Sequence, residues 1–276
     1  MDLPPVGQCA LCHEHRELCD SHFMPKALYR LVRDKKAKNL HPYLISLSGA
    51  RQTSKSQATH YLLCAACERL FDQNGENWVM RHCYRGRNIF RLRTLLQRSA
   101  EVERGEDAFV YSAKAIPEII DQLAYFCASV VWRAAVRNWR FLDQTYVAIP
   151  LWIYQEQFRT YLLGKSDFPS NAFLNVILSH LASPVLAWNV PETVRIDACR
   201  VHRFHVPGIT FSLYLGKQAP VECSPICLLR SPIHPIYVAK FGDAFVQTAL
   251  LALMGKIRTP APDDSVVEGY EHFLPD

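Results

Sequence analysis

Four cysteines have the spacing of zinc ligands. They form two Cys-x-x-Cys pairs, Cys9 with Cys12 and Cys64 with Cys67. A turn of this kind points two thiolates at one tetrahedral Zn²⁺, so two turns supply the four thiolates of a structural site. We therefore predict that these cysteines hold one zinc ion and close the segment between them into a small unit. The alternatives are unrelated buried cysteines and, with less support, a redox dithiol.

Three motifs follow one another in the first part of the chain: Cys9 with Cys12, His22-x-x-Pro25, and Cys64 with Cys67 followed by Glu68. This order resembles the zinc-stabilised HNH family of His-Me finger nucleases. In that family a His-x-x-Pro motif ends a strand after the first cysteine pair, and the second pair opens the helix that completes a ββα-metal site. The resemblance covers about residues 1–80. It implies a zinc-stapled, treble-clef endonuclease domain in that part of the chain.

The resemblance also implies roles for particular residues. His22 falls where the family has its general base, and a neutral imidazole with a pKa near 6.5 can take a proton from water at physiological pH. The family's metal ligands lie just before this base and on the closing helix, where this chain offers Asp20 and three carboxylates instead. The three are Glu68, Asp72 and Glu76. Their spacing of four residues places them along one helix face, and carboxylates suit Mg²⁺ or Mn²⁺.

Departures from the family pattern leave two functions open. The asparagine that orients the family's base would fall near Thr59, and Glu68 stands where the family has a histidine. The first hypothesis is a metal-dependent endonuclease that hydrolyses DNA, with His22 as base. Its metal ligands would be Glu68 and Asp72, with Asp20 and Glu76 as alternatives. The second is a catalytically inactive zinc-stapled module that binds nucleic acid or protein. In that case His22 packs inside a zinc domain, and the carboxylates form a solvent-facing stripe.

Basic residues concentrate in one third of the chain. The segment 26–104 contains sixteen Lys and Arg against six Asp and Glu, whereas the net charge of the whole chain is +5. Such a segment predicts a polyanionic partner, most simply DNA, although a solvated basic face is the alternative. The predicted phosphate contacts are Lys26, Arg30, Arg81, Arg85, Arg87, Arg91 and Arg93. Tyr84 and Phe90 lie among them and are candidates for stacking on an unpaired base.

These residues require elements to position them. In residues 1–88 the pattern predicts a helix from Lys26, strands over 43–47 and 61–63, a polar loop over 49–59, and a helix over 67–83 weakened at Asn74-Gly75. Residues 89–276 are predicted to form a larger domain of helices and antiparallel strands. Its helices are expected over 116–139, 156–163 and 241–254, and its strands over 174–178, 195–206 and 210–215. The fold class is therefore α+β, with a possible homodimer or protein partner contacting residues 89–276.

The composition excludes several classes of protein. With 49% hydrophobic and 21% charged residues, the chain is neither disordered nor fibrous. Its apolar runs are broken before they reach bilayer length, and Met1 to Pro5 lacks the basic and apolar regions of a secretion signal. We expect a cytoplasmic, reducing location with no membrane partner, in which cysteines bind metal more readily than they form disulfides. The resemblance alone suggests a role in bacterial defence.

Overall fold

The computed structural model describes residues 3–33, 43–45, 51–53, 57–99, 101–106, 108–141, 144–196, 199–216 and 226–239. Within them the protein is a mixture of helices and of antiparallel and mixed sheets. The helices are α1 (Lys26–Leu31), α2 (Ala65–Phe71), α3 (Asn77–His82), α4 (Arg91–Leu96), α5 (Pro117–Val136) and α6 (Ile153–Leu162). The helix predicted over 241–254 lies outside the described residues.

The strands form two main sheets and two hairpins. In chain order they are β1 (Val6–Gln8), β2 (His15–His22), β3 (Tyr43–Ile45), β4 (Arg51–Thr53), β5 (Thr59–Cys64), β6 (Glu101–Arg104), β7 (Ala108–Ser112), β8 (Trp139–Phe141), β9 (Gln144–Tyr146), β10 (Ala172–Ser179), β11 (Glu192–Ile196), β12 (Cys199–Val206), β13 (Ile209–Leu215) and β14 (Pro235–Ala239). The small sheet has the order β1-β2-β5 and is antiparallel. The hairpin of β3 and β4 includes part of the segment predicted as a loop over 49–59.

The helix predicted over 67–83 is present, with an irregularity at the predicted place. A π-helical turn over Asp72–Glu76 joins α2 to α3, and it contains Gly75. A Cβ atom at Gly75 would lie 2.9 Å from the backbone nitrogen of Phe126 in α5. The glycine therefore allows α5 to pack directly against the π-helical turn. Such turns are rare and occur often at functional sites.

Within the described residues, the large sheet has seven strands in the order β11-β12-β13-β10-β14-β7-β6, and only the β10–β14 pair among them is parallel. The strands predicted over 174–178 and 210–215 lie inside β10 and β13. The single strand predicted over 195–206 is wrong, because the chain turns back after Ile196 and pairs β11 with β12. Apolar and polar residues alternate in both strands, so the sequence pattern does not show where the turn lies.

Helix α5 forms the centre of the protein. It begins with Pro117, one residue after the predicted start, and ends with Val136, three residues before the predicted end at Trp139, which starts β8. By length and composition its residues Glu118–Val136 could cross a membrane, with a mean hydropathy of 1.3, but 78% of that stretch is buried inside the protein. A core helix of a soluble protein meets the same criteria. The expectation of no membrane partner therefore stays a prediction.

One hydrophobic core includes residues from both sides of the predicted boundary at residue 88. Phe71 of α2 packs edge-on against Trp132 of α5, with ring centroids 6.0 Å apart. Phe23, which follows β2, contacts Trp139 in the same way at 5.2 Å. The division into two domains stays a prediction, but the N-terminal elements are packed onto α5. Residues far along the chain can therefore position the N-terminal site.

Candidate active site and metal centre

The four predicted cysteines form one cluster. Cys9 and Cys12 lie in the turn between β1 and β2, Cys64 ends β5, and Cys67 is in the first turn of α2. Their sulfur atoms all lie within 4.8 Å of one another. Such a cluster could hold a metal ion such as zinc. The prediction that these cysteines come together is confirmed.

The environment of the cluster stabilises a deprotonated sulfur. A hydrogen bond from the Cys67 thiol is the largest influence on Cys9, and together with backbone N–H groups it outweighs burial and lowers the pKa of Cys9 to about 4. The N–H of Cys64 is one of these donors, at 3.3 Å from the Cys9 sulfur. The same thiol pairing raises the pKa of Cys67. Cysteine binds a metal ion as a thiolate, and the surroundings of Cys9 favour that form, whereas burial raises the pKa of Cys12.

Helix α6 holds the first cysteine turn in place. Arg159 donates a hydrogen bond from Nη1 to the carbonyl oxygen of Leu11 at 2.7 Å. Two further hydrogen bonds of 2.6 Å join its guanidinium to the carboxylate of Glu156, one turn earlier in the helix. Ala10 also donates its N–H to the carbonyl of Leu62 at 3.0 Å, which ties the turn to β5. The turn between Cys9 and Cys12 is thus fixed from two sides.

A cavity of about 300 Å³ lies beside the small sheet, and it brings the predicted base and carboxylates together. Its polar and charged lining residues are His22, Lys26, Glu68, Arg69, Asp72, Glu76, Asn77 and Arg133. His22 is the last residue of β2, and the three carboxylates come from α2 and the π-helical turn. Asp20 does not line this cavity, and its side chain is exposed. Arg69 and Arg133 are functional candidates that sequence reasoning missed.

The π-helical turn affects how the three carboxylates are arranged. In a regular α-helix, a step of four residues is slightly more than one turn. The third carboxylate in a series with this spacing therefore points away from the first. A π-helical turn closes hydrogen bonds to the fifth residue and winds more slowly, which opposes that drift. The turn begins at Asp72 and ends at Glu76. The π-helical turn therefore helps the side chains of Glu68, Asp72 and Glu76 to face the same cavity.

His22 is half-buried and has the protonation state of a base. Burial lowers the pKa of its imidazole, although the side chain of Gln57 acts in the opposite direction. A pKa below the ordinary value of about 6.5 leaves the ring neutral at pH 7. A neutral ring can accept a proton from a neighbouring water molecule. The geometry thus places a competent proton acceptor in the cavity.

Glu68 presents an unsatisfied oxygen. Its Oε1 atom is buried and has no hydrogen-bond partner among the described residues. A buried carboxylate oxygen without a partner costs free energy, and most such atoms in folded proteins are paired. A bound cation would supply the missing partner. Of the three helix carboxylates, Glu68 therefore has the strongest local support as a cation ligand.

Arg133 of α5 connects the cavity to the centre of the protein. Its side chain is 2% exposed and forms a 2.5 Å ion pair with Glu76, while its Nη1 donates to the carbonyl oxygen of His22 at 2.9 Å. It also lies over the ring of Phe71, 5.2 Å from the centroid. Burial raises the pKa of Glu76 more than the guanidinium lowers it. The ion pair with Arg133 holds the carboxylate of Glu76 in place. Glu68 and Asp72 are therefore the less constrained carboxylates.

We expect Arg133→Met to destabilise the protein by about 3 kcal/mol, because it leaves the Glu76 carboxylate unpaired in a buried position. Glu76→Gln in the same chain should restore much of that loss, since no buried charge then lacks a partner. Urea unfolding of the two single variants and the double variant measures the coupling. Additive effects of the two substitutions would show that Glu76 and Arg133 do not act as a pair.

The predicted phosphate contacts have different environments. Lys26 lines the cavity, whereas the other exposed members of the set lie outside it: Arg30, Arg81, Arg85, Arg87 and Arg91. Arg93 donates from Nη1 to the carbonyl oxygens of residues 179, 180 and 181, at 3.3, 3.2 and 2.5 Å. Its guanidinium therefore links α4 to the end of β10. Its role as a phosphate contact stays a prediction.

The interpretation of Tyr84 and Phe90 as base-stacking residues is wrong. Their exposed fractions are 4% and 2%, and their rings contact each other edge-on in the core. Both pack against Gly208, where an added Cβ would lie 2.9 Å from the Phe90 ring. Gly208 has a φ of +78° in the turn between β12 and β13, a conformation that glycine adopts readily. The two aromatic residues are therefore core residues.

We compared the chain with known proteins. No protein family, no curated protein and no solved structure matched it. The function is therefore inferred from the residues and from the geometry of the cavity and the cysteine cluster.

Proposed function

We propose that the chain is a divalent-metal-dependent endonuclease of the HNH type, which hydrolyses DNA phosphodiester bonds and is stabilised by zinc. The observation that carries the proposal is the composition of the 300 Å³ cavity, where a half-buried neutral histidine faces carboxylates beside basic side chains. Lys26 and Arg69 on its edge would attract a phosphate. A proton acceptor, cation ligands and phosphate-binding cations are the groups that phosphodiester hydrolysis requires.

Four residues of the cavity would have defined tasks in this reaction. His22 takes a proton from water as the water oxygen bonds to phosphorus, and the bond between phosphorus and the 3′-oxygen breaks. Glu68 and Asp72 would hold the divalent cation, which when bound supplies positive charge for a phosphate oxygen and for the leaving 3′-oxygen. The leaving oxygen then takes a proton from solvent. Arg133 positions the end of β2 through the His22 carbonyl, so that the imidazole stays in the cavity.

Zinc at the cysteine cluster would be structural. Four thiolates in a compact cluster are the ligand set of closed zinc sites, which have no open position for substrate. One pair comes from a strand turn and the other from the start of α2, an arrangement that fits the treble clef of the proposed family. Glu68 directly follows Cys67. A zinc ion there would fix the beginning of the helix that carries the carboxylates.

Incubation of the purified protein with supercoiled plasmid tests the proposal. We expect cleavage with added Mg²⁺ or Mn²⁺ and none when the added cation is omitted. Glu68→Gln should raise the metal concentration for half-maximal cleavage by about tenfold or more, because it removes a negative ligand. The matched control is Glu103→Gln, which changes an exposed carboxylate in β6. Equal metal dependence in the two variants would contradict the assignment of Glu68.

The main alternative is a zinc-stapled module that binds nucleic acid without cutting it. The ion pair between Glu76 and Arg133 favours it, since this pair removes one carboxylate from the set of cation ligands. A filter-binding titration at several salt concentrations distinguishes the two functions. Absence of cleavage of plasmid, single-stranded DNA and RNA, together with binding that weakens steeply with salt, would establish the binding module.

A further inference from the structure

The segment between α3 and α4 contains a tight loop over residues 85–89, which we call the arginine loop. Three consecutive residues in it have a left-handed backbone: Gly86, Arg87 and Asn88, with φ angles of +80°, +50° and +61°. Glycine adopts this conformation readily, whereas it is strained for arginine. Such strain persists only where the surrounding structure enforces it, and it occurs often at ligand-binding sites.

Hydrogen bonds and the core hold the arginine loop in this shape. Tyr84 and Phe90, the residues on either side of it, are buried and form an antiparallel bridge. Inside the loop, the N–H of Arg85 donates to the carbonyl oxygen of Ile89, and the N–H of Ile89 donates to that of Gly86, both at 2.9 Å. The loop is therefore fixed at its base, and its central residues project from the core.

The surface at the arginine loop is partly apolar. Ile89 is 47% exposed, and Leu186 in a neighbouring segment is 37% exposed. This segment contacts the loop, because Ser183 donates from Oγ to Oδ1 of Asn88 at 3.0 Å. A Cβ atom at Gly86 would also lie 3.8 Å from Cδ1 of Leu186. Exposed aliphatic side chains therefore lie on the loop and beside it, and contacts with phosphate groups alone do not account for them.

The arginine loop lies in a strongly basic segment. Residues 81–98 contain six arginines and no Asp or Glu. Arg85 and Arg87 are exposed, as is Arg91 at the start of α4. Within the part of the chain that the structure describes, none of these three arginines forms an ion pair. Their charge is therefore available to a polyanionic partner.

The arginine loop adjoins the cavity that contains His22. Met80 of α3 lines that cavity, and Nη1 of Arg85 lies 3.5 Å from the carbonyl oxygen of Met80. Asn77 also lines the cavity, and the exposed Arg81 follows it by four residues, so both lie on one face of α3. Basic side chains therefore continue from the cavity to the loop.

These features favour double-stranded DNA as the partner of the loop. Proteins that bind single strands present aromatic side chains to the bases, whereas Tyr84 and Phe90 beside this loop are buried. Proteins that bind the minor groove of a duplex combine arginines with exposed aliphatic side chains, which they insert between base steps. A protein partner could also cover Ile89, but the excess of positive charge favours a nucleic acid.

We propose that the arginine loop inserts into the minor groove of a DNA duplex whose scissile phosphate lies in the cavity, and that it bends the duplex there. Arg85 and Arg87 contact the phosphates that border the groove, and Ile89 packs against the base edges. This inference rests on the proposed function, since it takes DNA as the substrate. It specifies a bent duplex as the form of DNA that binds.

Fluorescence anisotropy of a labelled short duplex with the full chain tests the charged contacts. No Mg²⁺ or Mn²⁺ is added, so that the duplex is not cut. We expect Arg87→Gln to weaken binding by about tenfold and to lower the slope of log Kd against log salt by about 0.9, the contribution of one phosphate contact. The matched control is Arg140→Gln, which changes an exposed arginine of β8 and should alter neither quantity.

Energy transfer between dyes at the two ends of the duplex tests the apolar contact. The wild type should bend the duplex by about 20–90°, the range of proteins that insert aliphatic side chains. Ile89→Ala should lose most of this bend and keep the salt dependence of the wild type. The matched control is Val147→Ala, which changes an aliphatic residue that is 68% exposed outside the loop and should keep the bend. All four substituted residues are exposed, so the unfolding temperatures should not change.

The results separate the arginine loop from the proposed function. Loss of affinity in Arg87→Gln and loss of the bend in Ile89→Ala would support the loop even if the protein cleaves no plasmid. Metal-dependent cleavage of plasmid by a protein that leaves the duplex straight would support the nuclease and overturn the loop. Binding and bending by both variants at the wild-type level would also overturn the proposal, and the surface would then suit a protein partner.

Discussion

Replacement of Cys64 by serine is expected to abolish zinc binding and to unfold the elements around the cysteine cluster. Cys64 lies between β5 and α2, and its N–H donates to the sulfur of Cys9. Structural zinc contributes about 10–16 kcal/mol to the folding of small zinc units, which is more than the net stability of most domains. The three-stranded sheet is short, so most of its order would depend on the metal and on packing against α5.

The matched control is Cys19→Ser, which changes a half-buried cysteine of β2 that does not belong to the cluster. Zinc content per chain and circular dichroism of the two variants provide the measurement. We expect the control to keep one zinc ion and its fold, and Cys64→Ser to lose both. A folded Cys64→Ser variant that still binds zinc would show that the four cysteines are not the ligand set.

Features that depend on short-range signals could be predicted from the sequence. The two cysteine pairs, the helix after Cys64 and the weak point at Gly75 are each determined by a few neighbouring residues. The same holds for the turn at Gly208, which needs a positive φ. The spacing of the zinc ligands also predicts a contact between distant parts of the chain, because one metal ion needs both cysteine pairs. For that reason the cluster could be predicted across a long intervening segment.

Features that depend on tertiary contact could not be predicted. Arg133 lies 111 residues after His22 and within an otherwise apolar helix, so no local pattern marks it as part of the cavity. Arg159 is likewise distant from Leu11, which it holds. The turn between β11 and β12 was missed because the residues alternate on both sides of it. Tyr84 resembled a binding residue only because it lies among arginines, whereas its burial places it in the core.

The contacts of α5 and α6 give the second part of the chain a specific role. Arg133 fixes the strand end that carries His22, and Arg159 fixes the first cysteine turn. Both side chains come from beyond residue 88, the predicted end of the zinc-stapled domain. Residues 1–88 expressed alone would lack both contacts and the aromatic packing of Phe71 on Trp132. Experiments on the cavity therefore require the full chain.

His22→Ala is expected to lower the rate of plasmid cleavage by about 10²–10⁴-fold, the usual contribution of a general base. Binding of the plasmid should change little, because His22 carries no charge at pH 7 and Lys26 and Arg69 remain. The matched control is His15→Ala. It removes an exposed histidine from the same strand and should leave the rate unchanged.

Chemical rescue distinguishes a base from a structural histidine. The substitution leaves space beside a cavity of about 300 Å³, in which free imidazole could take the place of the missing side chain. We expect added imidazole to restore part of the cleavage by His22→Ala and to have no effect on His15→Ala. Unfolding temperatures of both variants should remain close to that of the wild type. A folded His22→Ala variant that cleaves at the wild-type rate would exclude His22 as the base. The proton acceptor would then be sought among Glu68 and Asp72, which line the same cavity.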